Sequence, residues 1–438
     1  MSVVKGYWWL PSNESKKIAG NLEQIDDGTA VLDLHGFLGH FLENEIILGV
    51  TLLGAPVTLW KCFKRSTHFS LNGFEAMEKY GCQITINGVH FNDKQRMDFD
   101  GYKFTFDYLE NWLDKQVLTI NENRENNTFK SLTIKYEQPE EFELAEIEGI
   151  KLVVSYAHSL GDKNNSKVSI NSSAQIVLKS KTKIPLEELL NNYLIKLQNF
   201  LSLVMGKTVF PKNIWGVIEE EEVYRDVSVT LKIPFSSNKK NGFYKERVPY
   251  SLIKENSNMI INNWFSGSND LLPIYDLYFA NLYNTNLHLT NRFLNIVQAL
   301  ESYHRRRIGR GEFMNKARYK KLKQKLYEVL EEELENEEVV EMKSKFSHLN
   351  EMSLKNRIYD LLEKYDLKEI YSEINEDLIA KVVLTRNYFT HWDKKYEDKA
   401  LKELELNDVT TLLMRLFETC LFIELGLDKK TLVSIKES

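Results

Sequence analysis

Cysteine is scarce in this chain. Its 438 residues hold three, Cys62, Cys82 and Cys420, an odd number at wide spacing. That pattern makes neither a disulfide framework nor a zinc cluster and fits buried thiols in a reducing compartment. Long apolar runs are also missing. Ile46–Trp60 is interrupted by Gly54 and Pro56, and Leu412–Leu427 carries Arg415, Glu418 and Glu424, so no membrane span is expected. Met1–Trp9 lacks the basic-then-apolar order of a signal peptide, and the expected location is cytoplasmic. There is no excess of positive charge: a net charge of −6 argues against wholesale coating of nucleic acid and leaves room only for a local basic surface. Nor does the β-rich half contain a strand–G-x-G-x-x-G–helix unit, a Walker loop or metal-ligand spacing, and no cofactor or metal is expected. What remains is 43% hydrophobic and 12% aromatic residues, enough for a folded protein of two or three domains.

Residues 1 to about 180 read as short alternating or β-branched runs broken by Gly, Asn, Asp and Pro. Ala30–Leu34, Ile46–Leu53, Val57–Cys62, Gln83–Ile86, Lys103–Phe106, Val117–Ile120, Ser131–Tyr136, Leu152–Tyr156 and Ser173–Leu178 are examples. Asp27-Gly28, Asn72-Gly73, Asn87-Gly88 and Asp100-Gly101 supply turn signals between them. Strands at this rhythm predict an antiparallel sandwich or barrel-like domain. The histidines His35, His40, His68, His90 and His158 have no partner at a telling interval. A strand-rich domain without catalytic residues points to recognition or assembly. The period then changes: Pro185–Met205 is a helix with a broad apolar face, Val227–Ile233 a strand, Ser236–Gly242 a polar loop and Leu252–Phe265 a helix. A turn at Ser266–Asn269 marks the expected boundary, with one domain over 1–265 and a second over 270–438.

The second domain reads as all-α, making the whole chain α+β. Phe293, Val297, Leu300 and His304 share a stripe on a helix over Thr290–Arg305; further helices are expected over Leu354–Lys364, Glu376–His391 and Val409–Leu425. Between Arg305 and Lys325 lie ten Lys or Arg and one acid, Glu312; eight glutamates follow over Glu328–Glu341. This suits a solvated helical hairpin with a basic and an acidic arm, or an RNA-backbone surface built from Arg306, Arg307, Arg310, Lys320, Lys321 and Lys323.

Near the end of the Glu376–His391 helix stands R-N-x-x-x-H: Arg386, Asn387 and His391. At about 100° per residue Asn387 and His391 share a face, and the long Arg386 side chain swings toward it. A permanent cation, an amide and a titratable imidazole suit a phosphate and the protons around it. The spacing alone is weak, since roughly 0.3 R-x4-H matches are expected by chance at this composition. An Arg and a His flanking the end of a core helix would look the same.

The helical bundle, the late R-N-x-x-x-H helix, and Glu301 with Arg305 on an earlier one resemble a HEPN domain. Glu301 and Arg305 are also placed for an ion pair across one helical turn. V-K-G-Y-W-W-L-P at Val4–Pro11, Ile18–Leu22, L-D-L-H-G-F at Leu32–Phe37 and T-L-W-K-C at Thr58–Cys62 are similar to the N-terminal domain of ApeA-type HEPN proteins of bacterial phage defence. The resemblance implies a metal-independent endoribonuclease with Arg386, Asn387 and His391 as its catalytic residues and Glu301 and Arg305 in support. It also implies a composite site in a homodimer or higher even-numbered oligomer, RNA as partner and substrate (tRNA, mRNA or phage transcript), and a phage-derived trigger. The alternative is a HEPN-like bundle that binds a nucleotide or RNA without cutting it, or that serves as an antitoxin-like partner.

Overall fold

The computed structural model describes residues 3–25, 27–39, 45–69, 76–93, 97–163, 166–232, 246–309, 311–347 and 349–436. Asn72-Gly73, His40, Arg310 and the Ser236–Gly242 loop lie outside them. The chain divides into two compact units, residues 1–265 and 266–438.

The first unit is antiparallel throughout. Its strands are β1 (Val3–Trp9), β2 (Ile18–Gln24), β3 (Ala30–Leu34), β4 (Ile47–Thr51), β5 (Pro56–Phe69), β6 (Ala76–Asn87), β7 (Asp98–Phe106), β8 (Leu118–Glu125), β9 (Thr128–Tyr136), β10 (Phe142–Ile147), β11 (Ile150–Lys163), β12 (Val168–Pro185), β13 (Pro211–Glu220) and β14 (Val223–Leu231). The order β6-β3-β2-β1-β4-β5 returns to β6 through a β5–β6 pairing, so six strands close a barrel. Closure removes the open edges that a flat sheet would leave unpaired. Alternate residues point inward, and Trp8, Leu32, Leu34, Ile47, Leu59 and Tyr80 fill the interior. Gly49 on β4 is required there, because a Cβ would stand 2.1 Å from the Trp8 ring. Cys62 and Cys82 pair across β5 and β6 as free thiols with sulfurs 3.0 Å apart.

From the second half of β6 the sheet continues as β14-β13-β7-β12-β11-β10. Asp100-Gly101, expected as a turn, lies inside β7 instead. Glycine is needed there for close approach: a Cβ would sit 2.7 Å from the Leu178 carbonyl of β12. The strands β8 and β9 form a separate two-stranded sheet whose Ile120, Leu132 and Ile134 are exposed. The helices of this unit are α1 (Leu109–Leu113), α2 (Leu186–Glu188), which passes through a π-turn into α3 (Ile195–Met205), and α4 (Tyr250–Ile253). The apolar face of α3, with Leu197, Phe200, Leu201 and Val204, is buried, and Gly206 ends the helix in the left-handed region.

Ser266–Asn269 is helical rather than a turn, for α5 (Ser257–Tyr283) runs through it with Pro273 inside. A glycine costs a helix about 1 kcal/mol. Burying Ile260, Ile261, Trp264, Leu271, Ile274 and Tyr278 along the same helix contributes roughly 1.5–3 kcal/mol each and outweighs it.

The second unit continues with α6 (Leu289–Arg307), α7 (Lys316–Glu333), α8 (Asn336–Ser347), α9 (Leu354–Lys364), α10 (Glu376–His391), α11 (Glu403–Leu425) and α12 (Lys429–Lys436). The helix α6 is central, with α9, α10 and α11 packed around it. Tyr278, Tyr303 and Phe417 interlock α5, α6 and α11. The charged stretch is a helical pair, but its break falls at Leu334 and Glu335, so α7 begins basic and ends acidic. Separate basic and acidic arms are therefore not formed; Lys343 of α8 pairs with Glu331 of α7. Among the described residues, no helix is long and apolar enough to cross a membrane.

Candidate active site

The helix α10 starts where Asn375 caps the Leu378 amide at 3.0 Å, with Glu376 and Asp377 in the first turn at the positive end of the helix dipole, where negative charge is stabilising. It buries Ile379, Val382 and Thr385. Arg386, four residues beyond Val382, falls at the edge of that stripe, half-buried against α6. The C-terminal end is held by aromatic packing. Trp392 takes a left-handed conformation (φ 52°), donates its amide to the Tyr388 carbonyl and packs on Tyr388 and Phe389, while Phe389 meets Phe293 of α6. Thr385 Oγ1 accepts from the Leu401 amide at 2.9 Å. The turn carrying the motif is thus tied down on both sides.

Arg386 is anchored from α6. Its Nη2 lies 3.2 Å from Glu301 Oε2, and its Nη1 donates to Asn387 Oδ1 at 3.1 Å. Guanidinium has five N–H donors, and these two contacts use two of them. His391, the last residue of α10, is exposed and has no hydrogen-bond partner among the described residues.

Glu301 collects more than one cation. Arg305 Nη2 stands 3.8 Å from its Oε1 and 2.9 Å from Glu351, and Arg357 Nε approaches to 4.0 Å. Arg357 is buried, 1% exposed, with its Nε donating to the Met352 carbonyl and its Nη1 to His304 Nδ1, both at 3.0 Å. Because Arg357 can only donate, Nδ1 of His304 must accept; the ring proton then sits on Nε2, which faces Asp360 at 2.8 Å. Burial holds His304 below its usual range, opposed by the Asp360 hydrogen bond. Burial also lowers Arg357, aided by nearby Arg305 and opposed by Glu301 and Glu351.

The structure therefore brings Arg386, Asn387, Glu301 and Arg305 together, with His391 one turn further along α10. The remaining cations divide. Arg306 donates to the Asp270 carbonyl, and Arg307 pairs with Glu424 and Asp270. Lys320 and Lys323 line a cavity on α7, whereas Lys321 is exposed on another face. Sequence reading missed Arg357, Asp360 and Glu351. One signal was present: Arg357 interrupts the apolar stripe Leu354–Ile358–Leu361, as His304 does on α6. Among the described residues, no group of three or more His, Cys, Asp or Glu is placed to hold a metal ion.

Comparison with known families gives two matches. The model described as ApeA N-terminal domain 1 covers residues 3–264, and the one described as Apea-like HEPN covers residues 294–431, which includes the whole cluster. No curated protein and no solved structure matches significantly. HEPN domains are generally of ribonuclease type. With both matches in this order over most of its length, the chain belongs to the ApeA-type HEPN family.

Proposed function

We propose that this protein is a metal-independent endoribonuclease of anti-phage defence, acting in the cytoplasm by abortive infection. The observation that carries the reading is the occurrence of a tethered Arg386 and an exposed His391, without a hydrogen-bond partner among the described residues, on one helix end within an Apea-like HEPN match. RNA supplies its own nucleophile. His391 takes the 2′-OH proton, the 2′-oxygen attacks phosphorus, and the free N–H groups of Arg386 hold the non-bridging oxygens as the phosphorane forms. The bond to the 5′-oxygen breaks, that oxygen takes a proton, and the products are a 2′,3′-cyclic phosphate and a 5′-OH. One imidazole serves one proton transfer, so the second donor comes from His391 of a second copy, in an isologous dimer. Asn387 fixes the phosphate or orients His391. An unrestrained ribonuclease is toxic to its host, and the β domain is the part assigned to restraint or to sensing a phage-derived trigger; tRNA is one candidate substrate.

One observation favours a second reading. The Arg386 fork is already half engaged by Glu301 and Asn387, as in a bundle that binds RNA or a nucleotide without cutting it, or serves as an antitoxin-like partner. Purified protein incubated with RNA in EDTA separates the two, with the RNA ends sequenced. Cleavage by wild type and none by a folded His391→Ala variant is expected. Wild-type cleavage by that variant refutes the catalytic assignment.

A further inference from the structure

The charged helix α7 carries a feature that the chemistry at Arg386 and His391 does not use. Between one face of α7 and the segment around Asn350 and Glu351 lies a cavity of about 580 Å³. Its α7 wall consists of Lys316, Tyr319, Lys320, Lys323 and Tyr327, spaced as one helical face. The tyrosine rings are fixed from behind: Tyr319 donates its hydroxyl to the Phe346 carbonyl and Tyr327 to the Lys343 carbonyl, both on α8. The opposing wall is partly acidic, but Glu351 is engaged by Arg305 at 2.9 Å and Glu312 by Lys316 at 3.4 Å. Lys320 and Lys323 have no acidic partner within ion-pair distance among the described residues. The Lys323 ammonium stands 5.4 Å over the Tyr327 ring, a cation–π contact that leaves its charge unneutralised. The cavity thus has ligand size, two ammonium groups without an acidic partner among the described residues, and tyrosine rings held by their hydroxyls.

We propose that this cavity is a nucleotide subsite for single-stranded RNA, taking a nucleotide next to the scissile phosphate, with Lys320 and Lys323 on backbone phosphate and Tyr319 against the base. Adjacency to a scissile phosphate rests on the ribonuclease reading. The cavity is connected to the catalytic cluster by a relay of ion pairs, because Glu351 lines the cavity and pairs with Arg305, which approaches Glu301, the partner of Arg386. A concave pocket takes an unstacked nucleotide, which a duplex does not present. Lysines interleaved with aromatic rings are the means by which single strands are held without sequence reading. The same chemistry fits a free nucleotide, and the test separates the two sources.

The test measures binding apart from cleavage. A fluorescein-labelled, fully 2′-O-methylated RNA dodecamer lacks the nucleophile, and its affinity for the full chain is read by anisotropy across a salt series. Lys320→Ala with Lys323→Ala should weaken binding about tenfold or more and flatten the slope of log affinity against log salt by about 1.4, at roughly 0.7 per lost phosphate contact. Tyr319→Leu should weaken binding about tenfold with little change in slope, and Tyr319→Phe should keep most of it. Arg318→Ala with Lys325→Ala, both exposed on α7 and outside the cavity lining, serves as control and should change affinity less than twofold. Circular dichroism establishes that each variant keeps its helix content. Wild-type affinity and slope in the Lys320/Lys323 variant overturn the subsite, as does an equal loss in the control pair, which would make α7 a diffuse charged face. Adenosine monophosphate that binds wild type and depends on Lys320 and Lys323, while the RNA does not, also overturns it and assigns the cavity to free nucleotide. If binding depends on the cavity but unmodified RNA is never cut, the subsite stands and the ribonuclease reading fails.

Discussion

Glu301→Gln is the perturbation that tests how Arg386 is held. The Glu301 carboxylate faces three guanidinium groups at 3.2, 3.8 and 4.0 Å, and glutamine keeps the shape while removing the charge. Each pair is worth about 4 kcal/mol gross at an effective dielectric of about 20. Water reduces this, since the Arg386 and Arg305 side chains are 33% and 50% exposed, and neutralising the carboxylate recovers its own desolvation. The net loss should lie between the roughly 1 kcal/mol of an exposed pair and the roughly 3–5 kcal/mol of a broken buried one, so about 2 kcal/mol is expected. In a helical unit of this size that lowers the melting temperature by about 4–8 °C. The substituted amide can still accept from Arg386, but the guanidinium fork is no longer drawn to one place by charge. Losing about 1.4 kcal/mol of its placement in the transition state costs about tenfold in rate. Calorimetry and single-turnover cleavage of the same preparation give both numbers. Melting within 1 °C of wild type together with an unchanged rate (a threshold of about 0.3 kcal/mol) would refute the tether. Lower melting with full cleavage would confine Glu301 to stability.

Three more outcomes are expected. Arg386→Lys keeps a charge opposite Glu301, so melting should change little; a single ammonium cannot serve Glu301, Asn387 and a phosphate at once, and cleavage should fall about tenfold to a hundredfold, with a near-normal rate arguing for a purely structural arginine. Burial holds His304 neutral below its ordinary value of 6.5, so the unfolded chain takes up a proton first as pH drops. This site then removes stability by up to about 1.4 kcal/mol per pH unit below about 6.5, until the folded-state value is reached; urea unfolding from about pH 7.5 to 5.5 with wild type and His304→Gln checks it, and an identical pH slope in the two would exclude the effect. Cys62, Cys82 and Cys420 are buried, and burial pushes the Cys62 and Cys420 thiols up, so all three should resist a thiol reagent until the protein is unfolded; rapid labelling of the native chain would contradict the burial.

Much of the local structure could be read from the chain alone. The period of Leu378, Val382 and Phe389 placed a helix over Glu376–His391, the bounds that α10 has, and alternation placed a strand over Ala30–Leu34, the bounds of β3. Antiparallel strands followed by helices were legible because period and turn chemistry act over a few residues. The charge run from Arg305 to Lys325 was equally visible, but not its division among a structural anchor at Arg307, a cavity wall at Lys320 and Lys323 and an exposed face at Lys321.

Other features depended on partners distant in sequence. Asp100-Gly101 has the composition of a turn and became strand because β12 needs the space of the missing side chain. Ser266–Asn269 became helix because buried apolar residues on both sides outweighed its weak propensity. The β5–β6 pairing that closes the barrel also set Cys62 beside Cys82, a neighbourhood that no spacing rule reveals. In the helical unit, R-N-x-x-x-H determined which residues share one helix end. Only packing of α6, α9 and α10 decided that Arg386 meets Glu301, 85 residues away, and that Arg357 and His304 stand behind them. A motif sets spacing along one helix, whereas a carboxylate gathers cations only where several helices bury their apolar faces against one another and bring those charges within reach.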